Sequence, residues 1–233
     1  MKTRTNWTET LAQIVGTDCN RILLYGAPGT GKTTSATRII SNYHRATLSA
    51  DSQPEDLIGS WILQVESGLS VMKWKDAHAS LAMTRGETLI LDEIDHAGSS
   101  LTSTLHAVLD DHAIAELTKG NGERCRPTAG YRVIATMNGS PNDLAPAVLD
   151  RFDAIIQADQ PASGSLAGIP DSLVALLPPF TESNWSNTIT PRTLRAFVRL
   201  CQQGIAEDTA SKTVFGAGWQ TILTAWTVKG GGL

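Results

Sequence analysis

The stretch Leu24-Tyr25-Gly26-Ala27-Pro28-Gly29-Thr30-Gly31-Lys32-Thr33-Thr34 decides how this chain is read. From Gly26 to Thr33 it fits G-x-x-x-x-G-K-[ST], and its flanks supply the context this pattern needs. Before it, Arg21-Ile22-Leu23-Leu24-Tyr25 is short and apolar and ends at a glycine, which predicts a buried strand. After it, Ala36, Ile39, Ile40 and Tyr43 recur at helical spacing, which predicts a helix over 33–43. A glycine loop between strand and helix is an anion cradle, because backbone N–H groups and the helix N-terminus point at a phosphate. Gly26, Ala27, Pro28, Gly29, Thr30, Gly31, Lys32, Thr33 and Thr34 are the expected nucleotide-binding residues. In that pattern the Lys32 ammonium meets the β- and γ-phosphates and the Thr33 hydroxyl ligates Mg²⁺.

A second chemical centre is Thr88-Leu89-Ile90-Leu91-Asp92-Glu93-Ile94-Asp95. Three consecutive large aliphatics predict a strand buried on both faces, as in a parallel sheet. Carboxylates at its end are not there for packing. Open parallel sheets bind ligands at the carboxyl ends of their strands, where the glycine loop also lies. Asp92 is therefore expected to hold Mg²⁺ through a water, and Glu93 to orient or activate a water for attack. Tyr131 to Asn138 reads as another core strand, and Asn138 at its end is expected level with Asp92.

Elsewhere the chain alternates short strands and helices. Trp7, Leu11, Ile14 and Val15 form one helical stripe, suited to docking on a sheet edge. Residues 45–50 read as a second strand, and 51–56 as a turn and helix start. Trp61 to Trp74 alternates around Glu66-Ser67-Gly68, which predicts a hairpin. Asp76 to Thr84 reads as a helix with Ala77, Leu81 and Ala82 inward. Leu101, Leu105, Val108 and Leu109 make the next helix amphipathic. A second hairpin is expected over 112–128, around Gly120-Asn121-Gly122. Leu144 to Asp153 holds a short helix with Pro146 early, and Arg151 follows it as a cation that the helix dipole favours. Composition shifts at 160–165, and beyond it helices are expected near 169–177, 191–203, 205–214 and 217–228. Pro178-Pro179 separates the first two, and Gly230-Gly231-Gly232 reads as a frayed end. Thr190-Pro191-Arg192 opens one helix with a threonine cap and proline in the first turn. Arg192 there opposes the dipole, so a nearby anion would account for it.

The chain has 233 residues, 41% hydrophobic and 18% charged, enough for one large domain or two small ones. A net charge of −4 argues against non-specific nucleic-acid binding. Cys19, Cys125 and Cys201 are isolated and odd in number, pointing to neither a disulfide frame nor a zinc site. With no long apolar run and no signal-like N-terminus, the expectation is a cytoplasmic protein without membrane contact.

The glycine loop, Leu-Asp-Glu-Ile-Asp, Ala-Thr-Met-Asn, Leu-Asp-Arg-Phe and Thr-Pro-Arg occur in the order seen in AAA+ ATPases. More narrowly the chain resembles the MoxR and dynein-related branch, where an Asp-Leu-Ile-Gly segment, here Asp56-Leu57-Ile58-Gly59, precedes an inserted hairpin. The resemblance covers roughly residues 20–200. It implies Asp92 and Glu93 as the Walker B pair, Asn138 as sensor 1, Arg151 as a finger reaching a neighbouring subunit's nucleotide, and Arg192 as sensor 2. It implies a five-stranded parallel sheet in an αβα sandwich over 1–160 and an all-helical lid over 161–233. It also implies an assembling ring, often hexameric, and in many members a separate partner carrying a metal-dependent adhesion domain. Ser49 is a candidate for the polar residue coupling substrate binding to the catalytic glutamate.

The resulting expectation is an Mg²⁺-dependent ATPase acting as a ring motor on a protein client. Two rivals stay open. One is a nucleic-acid translocase or a GTP-using restriction-type motor, for which Lys73, Lys75, Lys119, Arg124 and Arg126, with Trp61 and Trp74, would line the hairpins. The other is a nucleotide-gated scaffold with little turnover.

Overall fold

The computed structural model describes residues 6–178 and 189–231. Pro179 and Gly232, expected in a helix separator and a frayed end, lie outside the described residues. The chain forms two compact units. One comprises Glu9–Tyr25 and Thr33–Gln157; the other comprises Met1–Thr8, Gly26–Lys32 and Ala158–Leu233.

Helix α1 (Trp7–Val15) comes first, and of its stripe Trp7 and Leu11 are buried while Ile14 and Val15 are half-buried. The first unit is built on a five-stranded sheet. Its strands are β1 (Arg21–Tyr25), β2 (Tyr43–Thr47), β5 (Thr88–Asp92), β8 (Arg132–Met137) and β9 (Ala154–Gln157). They run in the order β2-β5-β8-β1-β9, and every pair is parallel. Leu89, Ile90 and Leu91 are fully buried, as a central strand covered on both faces requires. Each such side chain contributes roughly 1.5–3 kcal/mol relative to exposure. Helices α2 (Lys32–Ile39), α3 (Pro54–Ile58), α4 (His78–Arg85), α5 (Thr102–Leu109) and α6 (Pro146–Leu149) alternate with the strands in sequence. Leu101, in the turn before α5, and Leu105, Val108 and Leu109 on that helix are buried as their spacing predicts.

Three local expectations are corrected. Helix α2 stops at Ile39, and Tyr43, expected on it, instead begins β2 with its ring exposed. Strand β2 accordingly starts two residues earlier and ends three earlier than 45–50. On α4 the inward side chains are Ala79, Ala82 and Met83; Ala77 and Leu81 are only half-buried. Helical spacing alone admitted more than one inward face, and packing chose between them.

Two hairpins interrupt the alternation. β3 (Gly59–Glu66) pairs antiparallel with β4 (Leu69–Asp76), with Trp61 opposite Trp74 and Leu63 opposite Met72. β6 (Leu117–Thr118) pairs with β7 (Arg124–Cys125) around the Gly120 turn.

The second unit gathers a helical segment around its own core. Helices α7 (Asp171–Val174), α8 (Pro191–Gln202), α9 (Glu207–Phe215) and α10 (Trp219–Val228) bury Leu173, Leu194, Phe197, Val198, Ala210, Phe215 and Trp226 together. Phe197 meets Phe215 at 5.5 Å and Trp226 edge-on at 5.3 Å between ring centroids. The first of these helices is four residues long, shorter than the 169–177 expected. Among the described residues no helix is long and apolar enough to cross a membrane.

Candidate functional site

In the sheet unit the chemistry is concentrated on Asp92, the last residue of β5, whose side chain is 3% exposed. A carboxylate placed there needs donors. The Thr33 hydroxyl donates to Oδ1 at 2.7 Å and the Thr136 hydroxyl to the same oxygen at 2.9 Å. Arg45, on the outer strand β2, donates its Nε to Oδ2. Thr33 and Asp92 thus form the expected pair. Thr136 and Arg45 are additions. Thr136 had a readable signal, a hydroxyl in an otherwise apolar core strand. Arg45 had none, because a charged residue on an edge strand is ordinary.

The residue beside Asp92 is Thr136, not Asn138. Strands β5 and β8 pair Leu91 with Ala135, so the next step in parallel register brings Asp92 to Thr136. Asn138 lies farther along, and its backbone N–H donates to Asp95 Oδ2 at 3.4 Å. The other Asp95 oxygen is buried without a hydrogen-bond partner among the described residues.

Glu93 leaves the strand sharply. Its backbone is left-handed, φ 57° and ψ 47°, although it carries a full side chain. Such a conformation costs about 1–3 kcal/mol and persists only where the surroundings impose it. Its N–H meets the Thr136 hydroxyl at 3.4 Å, and its carbonyl accepts from His96 N at 2.9 Å to close the following turn. The result is an exposed carboxylate one residue beyond a buried, tightly held one.

In the second unit the glycine loop, Gly26 to Lys32, is packed by its neighbours. A side chain at Gly26 would put its Cβ 2.8 Å from the Ala158 carbonyl oxygen, and φ there is 137°. One at Gly29, where φ is 80°, would stand 3.2 Å from Thr190 Cβ. Both positions are therefore closed to other residues. The Lys32 ammonium is buried and donates to the carbonyls of Gly26 and Ala27 at 2.8 and 2.9 Å. The Thr30 carbonyl accepts from Ala162 N at 2.8 Å.

Gly29 also locates Arg192. Thr190 caps α8, accepting from Thr193 N, and Pro191 follows in the first turn. Arg192 is exposed in that same turn, so the loop and the helix start carrying Arg192 are neighbours. One turn along the same helix, Arg195 donates to the Ser165 carbonyl.

Arg151 in the sheet unit donates its Nε to Asp110 Oδ1 at 2.6 Å and an Nη1 hydrogen to the Ala147 carbonyl. It caps α6 and is ion-paired within its own chain.

The hairpins separate into two surfaces. Lys73 pairs with Glu66, Lys119 with Asp76 and Glu123, and Arg124 and Arg126 both with Glu116. Trp61 and Trp74 stand edge-to-face at 5.8 Å. Against this, Leu63, Val65, Leu69 and Met72 of the long hairpin are each more than half exposed.

A family model described as AAA domain (dynein-related subfamily) matches residues 21–152, which include the loop, Asp92, Glu93, Asn138 and Arg151. Among curated proteins the chain is similar to protein NorQ of Paracoccus denitrificans, 30% identical over 142 residues covering 58% of this chain and 51% of NorQ. It is also similar to YojN of Bacillus subtilis, 31% identical over 121 residues, 50% of this chain and 40% of that protein. The chain thus spans about half or less of the length of these relatives. Among solved structures it resembles NtrX of Brucella abortus in complex with ATP, with a TM-score of 0.56, 15% identity and coverage of 97% of this chain and 67% of that one. A RuvB point variant of Thermotoga maritima matches with a TM-score of 0.51, 15% identity and coverage of 97% and 69%. At such identities the structural likeness speaks for the fold alone.

Proposed function

Because this chain belongs to the AAA domain family, dynein-related subfamily, we propose that it is an ATP-hydrolysing ring motor of the MoxR type that remodels or activates a protein client. The observation that carries this reading is the pair of unlike carboxylates at the end of β5. Asp92 is buried and held by two hydroxyls and a guanidinium, while Glu93 is exposed and strained. That division suits one carboxylate to a metal and the other to a water.

The hydroxyl and carboxylate oxygens of Thr33 and Asp92 are hard donors suited to Mg²⁺. When bound with ATP, Mg²⁺ would neutralise charge on the β- and γ-phosphates. Gly26 to Thr34 would cradle the phosphates through backbone N–H groups, with the Lys32 ammonium turning from its own loop carbonyls to the β- and γ-oxygens. Glu93 would accept the proton of the attacking water, and Asn138 would orient that water. Arg192 would bring a cation to the phosphate held by the loop that its helix adjoins. Arg151 would leave Asp110 and act on the nucleotide of the neighbouring subunit in a ring, by analogy a hexamer.

In this reading residues 1–160 are the nucleotide-binding core, 161–233 its lid, and the site of action the cytoplasm. The exposed apolar side chains of the long hairpin, Leu63, Val65 and Met72 on one face and Leu69 on the other, are the client surface, since clustered exposed apolar side chains mark interaction sites. A separate adhesion-domain protein is a fitting partner, and Ser49 a fitting relay to Glu93. The nucleic-acid alternative is weakened because four of the five hairpin cations that would support it are paired with carboxylates, leaving little charge for phosphate. Steady-state phosphate release separates the motor from a low-turnover scaffold. Replacing Glu66 to Ser70 by Gly-Ser tests the client surface: basal ATPase and thermal stability should hold while proteins co-purifying with a Glu93→Gln form are lost.

A further inference from the structure

Asp92 has two oxygens and, when ionised, about four acceptor directions. Thr33 and Thr136 take both directions of Oδ1, and Arg45 takes one of Oδ2. The two hydroxyls are neutral, so Arg45 is the cation among these donors. The partners differ sharply in exposure: the Asp92 side chain is 3% exposed and that of Arg45 is 48%. Arg45 also lies on β2, at the edge of the sheet. Its guanidinium can return to water at small cost, whereas the carboxylate is fixed on an interior strand and needs a positive partner.

We infer that Arg45 is the resident counter-ion of Asp92, exchanging with the divalent cation of the bound nucleotide, and that the cost of displacing it sets the affinity for that cation. The inference rests on the nucleotide-binding reading above and adds to it a residue outside the glycine loop and the carboxylate motif. Arg45 is on this account a positioning residue. It holds Asp92 in orientation and would give up Oδ2 when the cation binds. Removing it leaves a buried carboxylate whose remaining source of positive charge is the metal. Metal binding should then tighten, and the metal-free protein should weaken.

The test is Mn²⁺ binding to the ATP-loaded protein, followed by electron paramagnetic resonance, in wild type, Arg45→Ala and Arg45→Lys. Arg45→Ala should bind Mn²⁺ about fivefold more tightly, the upper end of the scale for an ion pair with one half-exposed partner. Its thermal midpoint should be lower than wild type without metal and rise more on adding Mn²⁺ and ATP. Arg45→Lys, which keeps the charge but not the planar fork, should restore affinity to within about twofold of wild type. If Arg45→Ala is too unstable to purify, Arg45→Gln gives the same comparison with the side-chain bulk retained. Unchanged or weaker Mn²⁺ affinity in the uncharged variants would overturn the counter-ion role. Wild-type protein that binds no ATP at all would instead overturn the nucleotide reading on which it rests.

Discussion

Lys119, at the turn of the second hairpin, donates to Asp76 at the base of the first across 2.8 Å, with only 9% of its side chain exposed. The next residue, Gly120, has no room for a side chain, since a Cβ there would lie 2.6 Å from the Trp74 ring. The turn of the second insertion is thus joined to the base of the first, between partners 43 residues apart.

Lys119→Ala should therefore cost about 1–3 kcal/mol, the penalty for leaving the Asp76 carboxylate with the Trp74 indole but without its cation. Burial opposes the charged form of Lys119, but the Asp76 hydrogen bond and charge outweigh it and raise its pKa. A raised pKa means the contribution is complete below the unfolded lysine value near ~10.4 and disappears as pH rises through the folded value. Urea denaturation at pH 8 and at pH 11 should show the gap between wild type and variant closing at the higher pH.

The Arg21–Asp153 pair has the opposite dependence. Burial would raise the Asp153 pKa, yet hydrogen bonds from Arg21 and from the backbone of Arg21 and Asn20 bring it below its ordinary value. Its contribution is complete above the unfolded value near ~3.9 and is lost as pH falls through the folded one. Asp153→Asn should lose about 1–2 kcal/mol at pH 7, and the difference from wild type should shrink in acid, as followed by circular dichroism during denaturant titrations.

Glu93 offers a test of strain and chemistry together. Glu93→Gln should bind ATP as wild type does and release phosphate at least about a hundredfold more slowly, the usual loss for a positioned base. Between two variants that both lack the carboxylate, Glu93→Gly should be more stable than Glu93→Ala by about 1 kcal/mol, because only glycine adopts φ 57° without a Cβ clash. Equal stability would mean the turn relaxes.

Arg151→Ala removes a helix cap and an ion pair, both partly exposed, and should cost no more than about 1 kcal/mol. If Arg151 acts in trans, turnover should fall by about 10³–10⁵ with ATP binding intact. Mixing Lys32→Ala with Arg151→Ala subunits should restore activity, with native mass spectrometry checking that both are present. No recovery would leave Arg151 as the partner of Asp110 and Ala147 alone.

Much of this was legible in the chain because it is local. Leu89-Ile90-Leu91, bounded by polar residues, reads as a strand buried on both faces, and Gly26 to Thr33 is a loop whose spacing admits few other uses. Thr190-Pro191 announces a helix start from the cap and the proline ring. Such features depend on backbone sterics and on neighbours within four residues. Asp92, Glu93 and Asn138 were readable as strand-end polar groups for the same reason.

What only the tertiary structure decided is which distant groups share a charge. Strand order placed β2 beside β5, and that alone brought Arg45 to Asp92 across 47 residues. The parallel register put Thr136, rather than Asn138, beside the same carboxylate. Lys119, read as a hairpin cation, is held by Asp76, and Arg151, read as a cation at a helix end, is also paired with Asp110. A sequence specifies the periodicity of each element, but the partner of a long charged side chain follows from crossovers and register, which no window of neighbouring residues contains.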